Sequence, residues 1–189
     1  MESLDDSAEL WFALSVRSNY EKIVASSLKA KGYAEFLPLY RARSQRPNLA
    51  KQIELPLFPG YVFSAFNVNR RLPILMIPGV VRIVSIGNNP AAVDKEELLA
   101  IERFVASGIA MEPWPFLKTG DLVVVERGSL SGLEGVLIQI KNAYRLVVSL
   151  SLLQRSVAVE IDRDSVRPRR RLPSETLQPA AHSSTRRVA

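Results

Sequence analysis

Cysteine is absent from the 189 residues, and histidine occurs once, at His182. Without thiols there are no disulfides, thiolate nucleophiles or thiolate metal sites, a usage that fits a reducing compartment. Histidine is the usual general base and a common metal ligand near neutral pH. The single one lies in a polar tail among Ala181, Ser183 and Ser184, which argues against catalytic triads and zinc hydrolases. No constellation of nucleophile, base and orienting group is visible, so no enzyme, no metal and no cofactor are expected. Long hydrophobic runs are missing too. The most apolar stretch, Leu72 to Val81, is interrupted by Pro73, Pro78 and Gly79, well short of a membrane span. The opening Met1-Glu2-Ser3-Leu4-Asp5-Asp6 is acidic where a signal peptide is basic. A cytoplasmic protein with no membrane partner is the expectation.

What the chain does have is an excess of positive charge, 25 basic against 19 acidic residues, for a net charge of +6. The excess is localised. Between Arg17 and Lys51 stand eight basic residues (Arg17, Lys22, Lys29, Lys31, Arg41, Arg43, Arg46 and Lys51) against Glu21 and Glu35, so this segment alone carries a net charge equal to that of the whole chain. Such a face suits a polyanionic or acidic partner.

Hydrophobic residues make up 47% of the chain, enough for one or two small cores. Trp11 to Val16 reads as a buried strand. Ser18-Asn19-Tyr20-Glu21 fits a capping box, with Tyr20, Ile23, Val24 and Leu28 at helical spacing up to Gly32. Tyr33 to Tyr40 reads as a strand broken at Pro38, and Arg41 to Lys51 as a basic loop. Tyr61 to Phe66 follows a Pro59-Gly60 turn as a strand, and Val80 to Ile86 reads as another. Asp94-Lys95-Glu96-Glu97 is a second capping box, opening a helix through Leu98, Ile101, Phe104 and Val105 that ends near Gly108.

The prolines in Glu112-Pro113-Trp114-Pro115 mark a boundary. Beyond it come four short β-branched runs separated by glycine turns: Asp121 to Glu126, Gly135 to Ile140, Tyr144 to Leu150 and Ser156 to Ile161. They suggest a small barrel. The expected organisation is α+β: an N-terminal α/β sandwich at 8–107, helices against an antiparallel sheet; a linker at 108–117; a small SH3-like β-barrel at 118–168; and a disordered basic tail at 169–189.

Three features stand out. Leu57-Phe58-Pro59-Gly60-Tyr61-Val62-Phe63 places large aromatics around a turn. Tyr61 and Phe63 read as core residues, whereas Phe58 has no pattern that accounts for burial and is expected on an exposed apolar patch that docks a partner helix. The basic segment is either a solvated face or a nucleic-acid surface, the latter favoured by the interleaved Tyr20, Tyr33 and Tyr40. Gly128, Gly132 and Gly135 lack the Lys-Ser/Thr of a phosphate loop and read as turns needing positive φ.

Taken in order, Trp11-Phe12, the capped helix from Tyr20, Phe58-Pro59-Gly60-Tyr61-Val62, Val80-Val81-Arg82-Ile83 and Asp94-Lys95-Glu96-Glu97 resemble the N-terminal (NGN) domain of NusG-type transcription elongation factors. Gly120-Asp121-x-Val-x-Val, Gly128, Gly132, Gly135-Val136, Ser149-x-Ser151, Arg155 and Val159-Glu160-Ile161-Asp162 resemble their KOW domain. The resemblance covers Trp11 to about Pro168. It implies a monomeric elongation or antitermination factor that suppresses pausing or termination without catalysis. Phe58, with Tyr61, Val81 and Ile83, would grip the clamp helices of the largest RNA polymerase subunit. Asn69, Arg70, Arg71 and Leu72 would reach the opposite side of the cleft. Arg17 aligns with a position that RfaH-like paralogues use on the non-template DNA strand, and Lys22, Arg41, Arg43 and Arg46 would add phosphate contacts. Leu152, Leu153 and Arg155 occupy the loop through which the family contacts Rho or a small-subunit ribosomal protein. An aromatic common at the second loop position is replaced by Leu153, which, with the diverged linker and basic tail, points to a specialised RfaH-like paralogue. The competing reading is a KOW-containing RNA-binding ribosomal or ribosome-assembly protein.

Overall fold

The computed structural model describes residues 9–43, 52–115, 120–140 and 143–169. The N-terminal module runs β1 (Leu10–Val16), α1 (Glu21–Ala30), β2 (Ala34–Phe36), β3 (Leu39–Arg43), β4 (Gln52–Pro56), β5 (Tyr61–Phe66), α2 (Leu72–Leu75), β6 (Val80–Ile83), β7 (Ser85–Ile86), β8 (Asn89–Pro90) and α3 (Lys95–Ser107). Four strands form an antiparallel sheet in the order β2-β5-β1-β6.

β1 is apolar at nearly every position because both its faces are covered, and successive side chains point to opposite sides. Phe12, Leu14 and Val16 join Val62 and Phe66 of β5 in a core closed by Val24 and Leu28 of α1 and by Ile74 and Ile77 around α2. Ala13 and Phe63 face the other way, into a core that holds Leu98, Ile101 and Phe104 of α3. The sheet is the middle of three layers, as an α/β sandwich requires.

β3 and β4 pair as a separate two-stranded ribbon, Leu39 opposite Pro56 and Arg43 opposite Gln52. Arg41 and Arg43, expected in a loop, therefore stand on a strand. Arg46 lies outside the described residues, as do His182 and the tail from 170 onward. α2 was not expected either; it is four residues long with Pro73 in its first turn, a position where the missing amide does no harm.

The two helix starts differ from their shared reading. Tyr20, not Ser18, occupies the N-terminal position of α1, and no side chain caps it. Asp94 does cap α3, accepting from the Glu96 and Glu97 amides at 2.8 and 3.1 Å.

The C-terminal strands are β9 (Met111–Trp114), β10 (Asp121–Val125), β11 (Glu134–Ile140), β12 (Ala143–Leu150), β13 (Arg155–Ile161) and β14 (Val166–Pro168). They form one antiparallel sheet in the order β14-β10-β11-β12-β13-β9. Two corrections follow. The sheet stays open among the described residues, with β9 and β14 as its edges, where a closed barrel was expected. The segment expected as a linker contributes an edge strand, Met111 to Trp114 pairing with Val159 to Ser156. An edge strand tolerates Pro113 because its outer side donates to no neighbour. Gly135 serves a different need from the turn it was expected to form: a Cβ there would meet Leu146 Cδ1 and the Val147 carbonyl oxygen at 2.9 Å, so the bare backbone lets β12 approach.

Candidate partner-binding face

Phe58, Pro59 and Gly60 form the turn into β5, closed by the Tyr61 amide donating to the Phe58 carbonyl at 3.1 Å. Gly60 takes φ +84°, left-handed backbone that a side chain disfavours. The turn is anchored on two sides: the Leu57 amide donates to the Pro38 carbonyl, and the Val16 amide to the Gly60 carbonyl, each at 2.9 Å.

Phe58 does not lie on an exposed patch. It is 1% exposed, edge-on to the Phe63 ring at 6.0 Å between centroids. The reason is non-local. Leu57, Phe58, Phe63 and the apolar side of α3 share one continuous cluster with Leu130, Leu133, Leu146, Leu150 and Leu153 of the C-terminal sheet. α3 packs against β12. The C-terminal sheet thus covers the face on which Phe58 and Tyr61 stand, and truncating Phe58 would open a cavity in a shared core.

Polar contacts frame this seam. The Ser151 amide donates to Glu97 Oε2 at 2.9 Å. Arg103 Nη2 donates to the Ser131 carbonyl. The Arg155 guanidinium sits 5.6 Å from the centroid of the Tyr61 ring, a cation–π contact. Tyr61, expected to meet polymerase, and Arg155, expected to meet a different partner, are here each other's neighbours. Leu152 and Leu153, in a 3-10 turn over Ser151–Leu153, pack into the same cluster.

The other expected residues are distributed differently. Ile83 is buried on the opposite side of the sheet, among the α1 residues, and does not join Phe58. Val81 is 59% exposed on β6. Asn69, Arg70, Arg71 and Leu72 form an exposed lobe after β5, where Asn67 Oδ1 accepts from the Asn69 amide at 2.9 Å and Arg71 Nη1 donates to the Val68 carbonyl at 3.2 Å. The lobe stands at the far end of β5 from the Phe58 turn, about 20 Å away for a six-residue strand. Arg17 is exposed immediately after β1, its amide donating to the Gly79 carbonyl at 2.9 Å. Lys22 and Arg41 line one shallow cleft with Gln52, Ile53 and Glu54.

Three residues in this geometry were not singled out from the sequence for a tertiary role: Glu21, Glu97 and Arg103. The glutamates were read as capping partners, and nothing local signals their distant contacts. Among the described residues no group of histidine, cysteine, aspartate and glutamate could hold a metal ion, and no helix is long and apolar enough to cross a membrane.

A family model described as NusG, transcription termination factor nusG, matches residues 9–102, the span that carries the three-layer module and the Phe58 turn. The chain belongs to the NusG family. A solved structure concerned with domain interaction in Thermotoga maritima NusG resembles this NusG-type chain at a TM-score of 0.54, with 23% identity, over 85% of this chain and 97% of that one. The likeness is one of fold. Conformations B and A of an MjSpt4:Spt5 complex are more distant, each at a TM-score of 0.30, with 16% and 18% identity over 84% of this chain and 96% and 97% of theirs. No curated protein matches the chain.

Proposed function

We propose that this NusG-type chain regulates transcription elongation and antitermination by binding RNA polymerase through its N-terminal module, acting by attachment and without catalysis. In this reading residues 8–107 are an NGN domain and 118–168 a KOW domain. The observation that carries it is the family match over 9–102, which spans both the Phe58–Tyr61 turn and the Asn69–Leu72 lobe. A module with contact sites at both ends of one rigid strand suits bridging a cleft. Holding that cleft closed by differential binding resists pausing as a population shift.

Phe58 and Tyr61 meet the clamp helices, with Val81 adding exposed apolar surface on β6 and Ile83 supporting from beneath the sheet. Asn69, Arg70, Arg71 and Leu72 meet the opposite wall. Arg17, Lys22, Arg41, Arg43 and Arg46 contact exposed DNA phosphates. Leu152, Leu153 and Arg155 recruit a ribosomal protein or Rho, and the missing aromatic at Leu153 favours a specialised, RfaH-like role. Since the C-terminal sheet covers Phe58, the modules part before polymerase takes the face, and the recruiting loop is released in the same event.

The test is binding of the full chain to purified core RNA polymerase, with Tyr61→Ala as the variant. Tyr61 is only partly buried, so its loss trims the face more than the core. The expected result is a loss of about 2 kcal/mol or more in affinity. Capture of ribosomal subunits in high salt, with no polymerase, would replace this reading with the ribosomal one.

A further inference from the structure

Glu21 is 6% exposed although it is the first residue of α1, where a glutamate ordinarily reaches water or the helix's own amides. Removing a carboxylate from water is unfavourable unless hydrogen bonds replace its hydration. The partner here is distant: Glu21 Oε1 accepts from the Gly60 amide at 2.9 Å, across 39 residues of sequence. Gly60 returns the link through its carbonyl, which accepts from the Val16 amide. On the other side of this segment, the Arg17 amide donates to the Gly79 carbonyl at 2.9 Å, and the Tyr20 amide to the Arg17 carbonyl at 3.0 Å. Residues 16–21 therefore lie between the Phe58–Tyr61 turn and the turn at Gly79, and hold both.

From these contacts we infer that Glu21 is a positioning residue for the polymerase-binding face, an inference that rests on the reading above. It fixes the amide of the one residue in the Phe58–Tyr61 turn whose backbone is left-handed. By doing so it holds the ring positions of Phe58 and Tyr61 in register with Arg17, so that aromatic and basic contacts are presented as one rigid unit. Its effect on the rings passes through the Gly60 amide. Pre-organised contacts slow dissociation, whereas the parting of the modules governs access and hence association.

The experiment uses the full chain as wild type, Glu21→Gln and Glu21→Ala. It reads hydrogen exchange at the Gly60 amide and, separately, association and dissociation rates on immobilised core RNA polymerase. Glutamine keeps an acceptor oxygen and alanine does not. The expected result is faster Gly60 exchange and about tenfold faster dissociation for Glu21→Ala, with Glu21→Gln within about threefold of wild type. Wild-type dissociation in Glu21→Ala overturns the inference. So does a change confined to association, which reports the modules parting and not the turn. Should alanine prevent folding, Glu21→Asp keeps the charge but shortens the reach, and it carries the same expectation with a smaller step. If wild type itself does not bind polymerase, the functional reading falls and the binding role of Glu21 with it, while faster Gly60 exchange would still support the clamp on the turn.

Discussion

α1 and α3 begin on the same sequence pattern, a capping residue followed three places later by glutamate, and the two glutamates end in different parts of the molecule. Glu21 reaches across the N-terminal module to the Gly60 amide. Glu97 reaches out of that module to the Ser151 amide, 54 residues on. At α3 the aspartate keeps its local role and only the glutamate is diverted. At α1 both halves of the box are given up: Asn19 adopts φ +66° and Tyr20 takes the end position. A capping box is a local option stabilising a helix end by about 1 kcal/mol. A hydrogen bond from an amide to a carboxylate is of similar or greater size, so each glutamate leaves the local box for a tertiary amide, the partly buried Gly60 for Glu21 and the exposed Ser151 for Glu97.

The comparison is sharpened most strongly by Glu21→Ala. It removes the buried carboxylate to which the partly buried Gly60 amide donates, so unfolding of that module in denaturant should shift by about 2 kcal/mol. A shift below about 0.5 kcal/mol would place the Gly60 bond among the dispensable ones. Glu97→Ala acts on the seam between modules and should leave the N-terminal module's own unfolding nearly unchanged. It should favour the parted state by about 1 kcal/mol, read as roughly fivefold faster association with polymerase. Equal association rates would mean that apolar contact alone holds the seam. The smallest effects separate the two caps: Asp94→Ala should lower stability by about 1 kcal/mol, and Ser18→Ala by less than about 0.5 kcal/mol. Equal losses at the two positions would restore the capping box at α1 and remove the contrast.

Much of the fold was legible because its signals are local. β1 and β5 are runs of aromatic and β-branched residues, α3 has an aspartate cap and an apolar stripe, and the C-terminal strands are β-branched runs, with Gly128 and Gly132 dividing β10 from β11. The departures share a non-local cause. Pro113 reads as a breaker, and only the neighbouring β13 shows that its missing amide falls on an outer edge. Phe58 has no apolar partner at strand or helix spacing; its partners, Leu150 and Leu153, lie about ninety residues later in the shared core. Val81 and Ile83 stand two apart, a spacing that puts both on one face of a regular strand, yet the register of β6 shifts beside them, where Ser15 pairs with Arg82 and Val16 with Val80. One residue stays in solvent and the other enters the core. A motif identifies which residues belong together in a family; burial decides which of them a partner meets first.

The edge strand β9 also sets a length scale. α3 ends at Ser107 and β9 begins at Met111, so only Gly108, Ile109 and Ala110 join the helix to the sheet, a reach of about 10 Å when extended. On so short a tether the C-terminal sheet is held at a high effective concentration over the Phe58 face. β9 is fastened to its own sheet by Arg145, which lies 5.1 Å from the Trp114 ring centroid and pairs with Glu112. Peeling that strand away would lengthen the tether to the thirteen residues before Asp121, about 45 Å extended. The strand is thus a reel as well as an edge: paired, it leaves three residues between helix and sheet, and unpaired, it would leave thirteen, a tether several times longer.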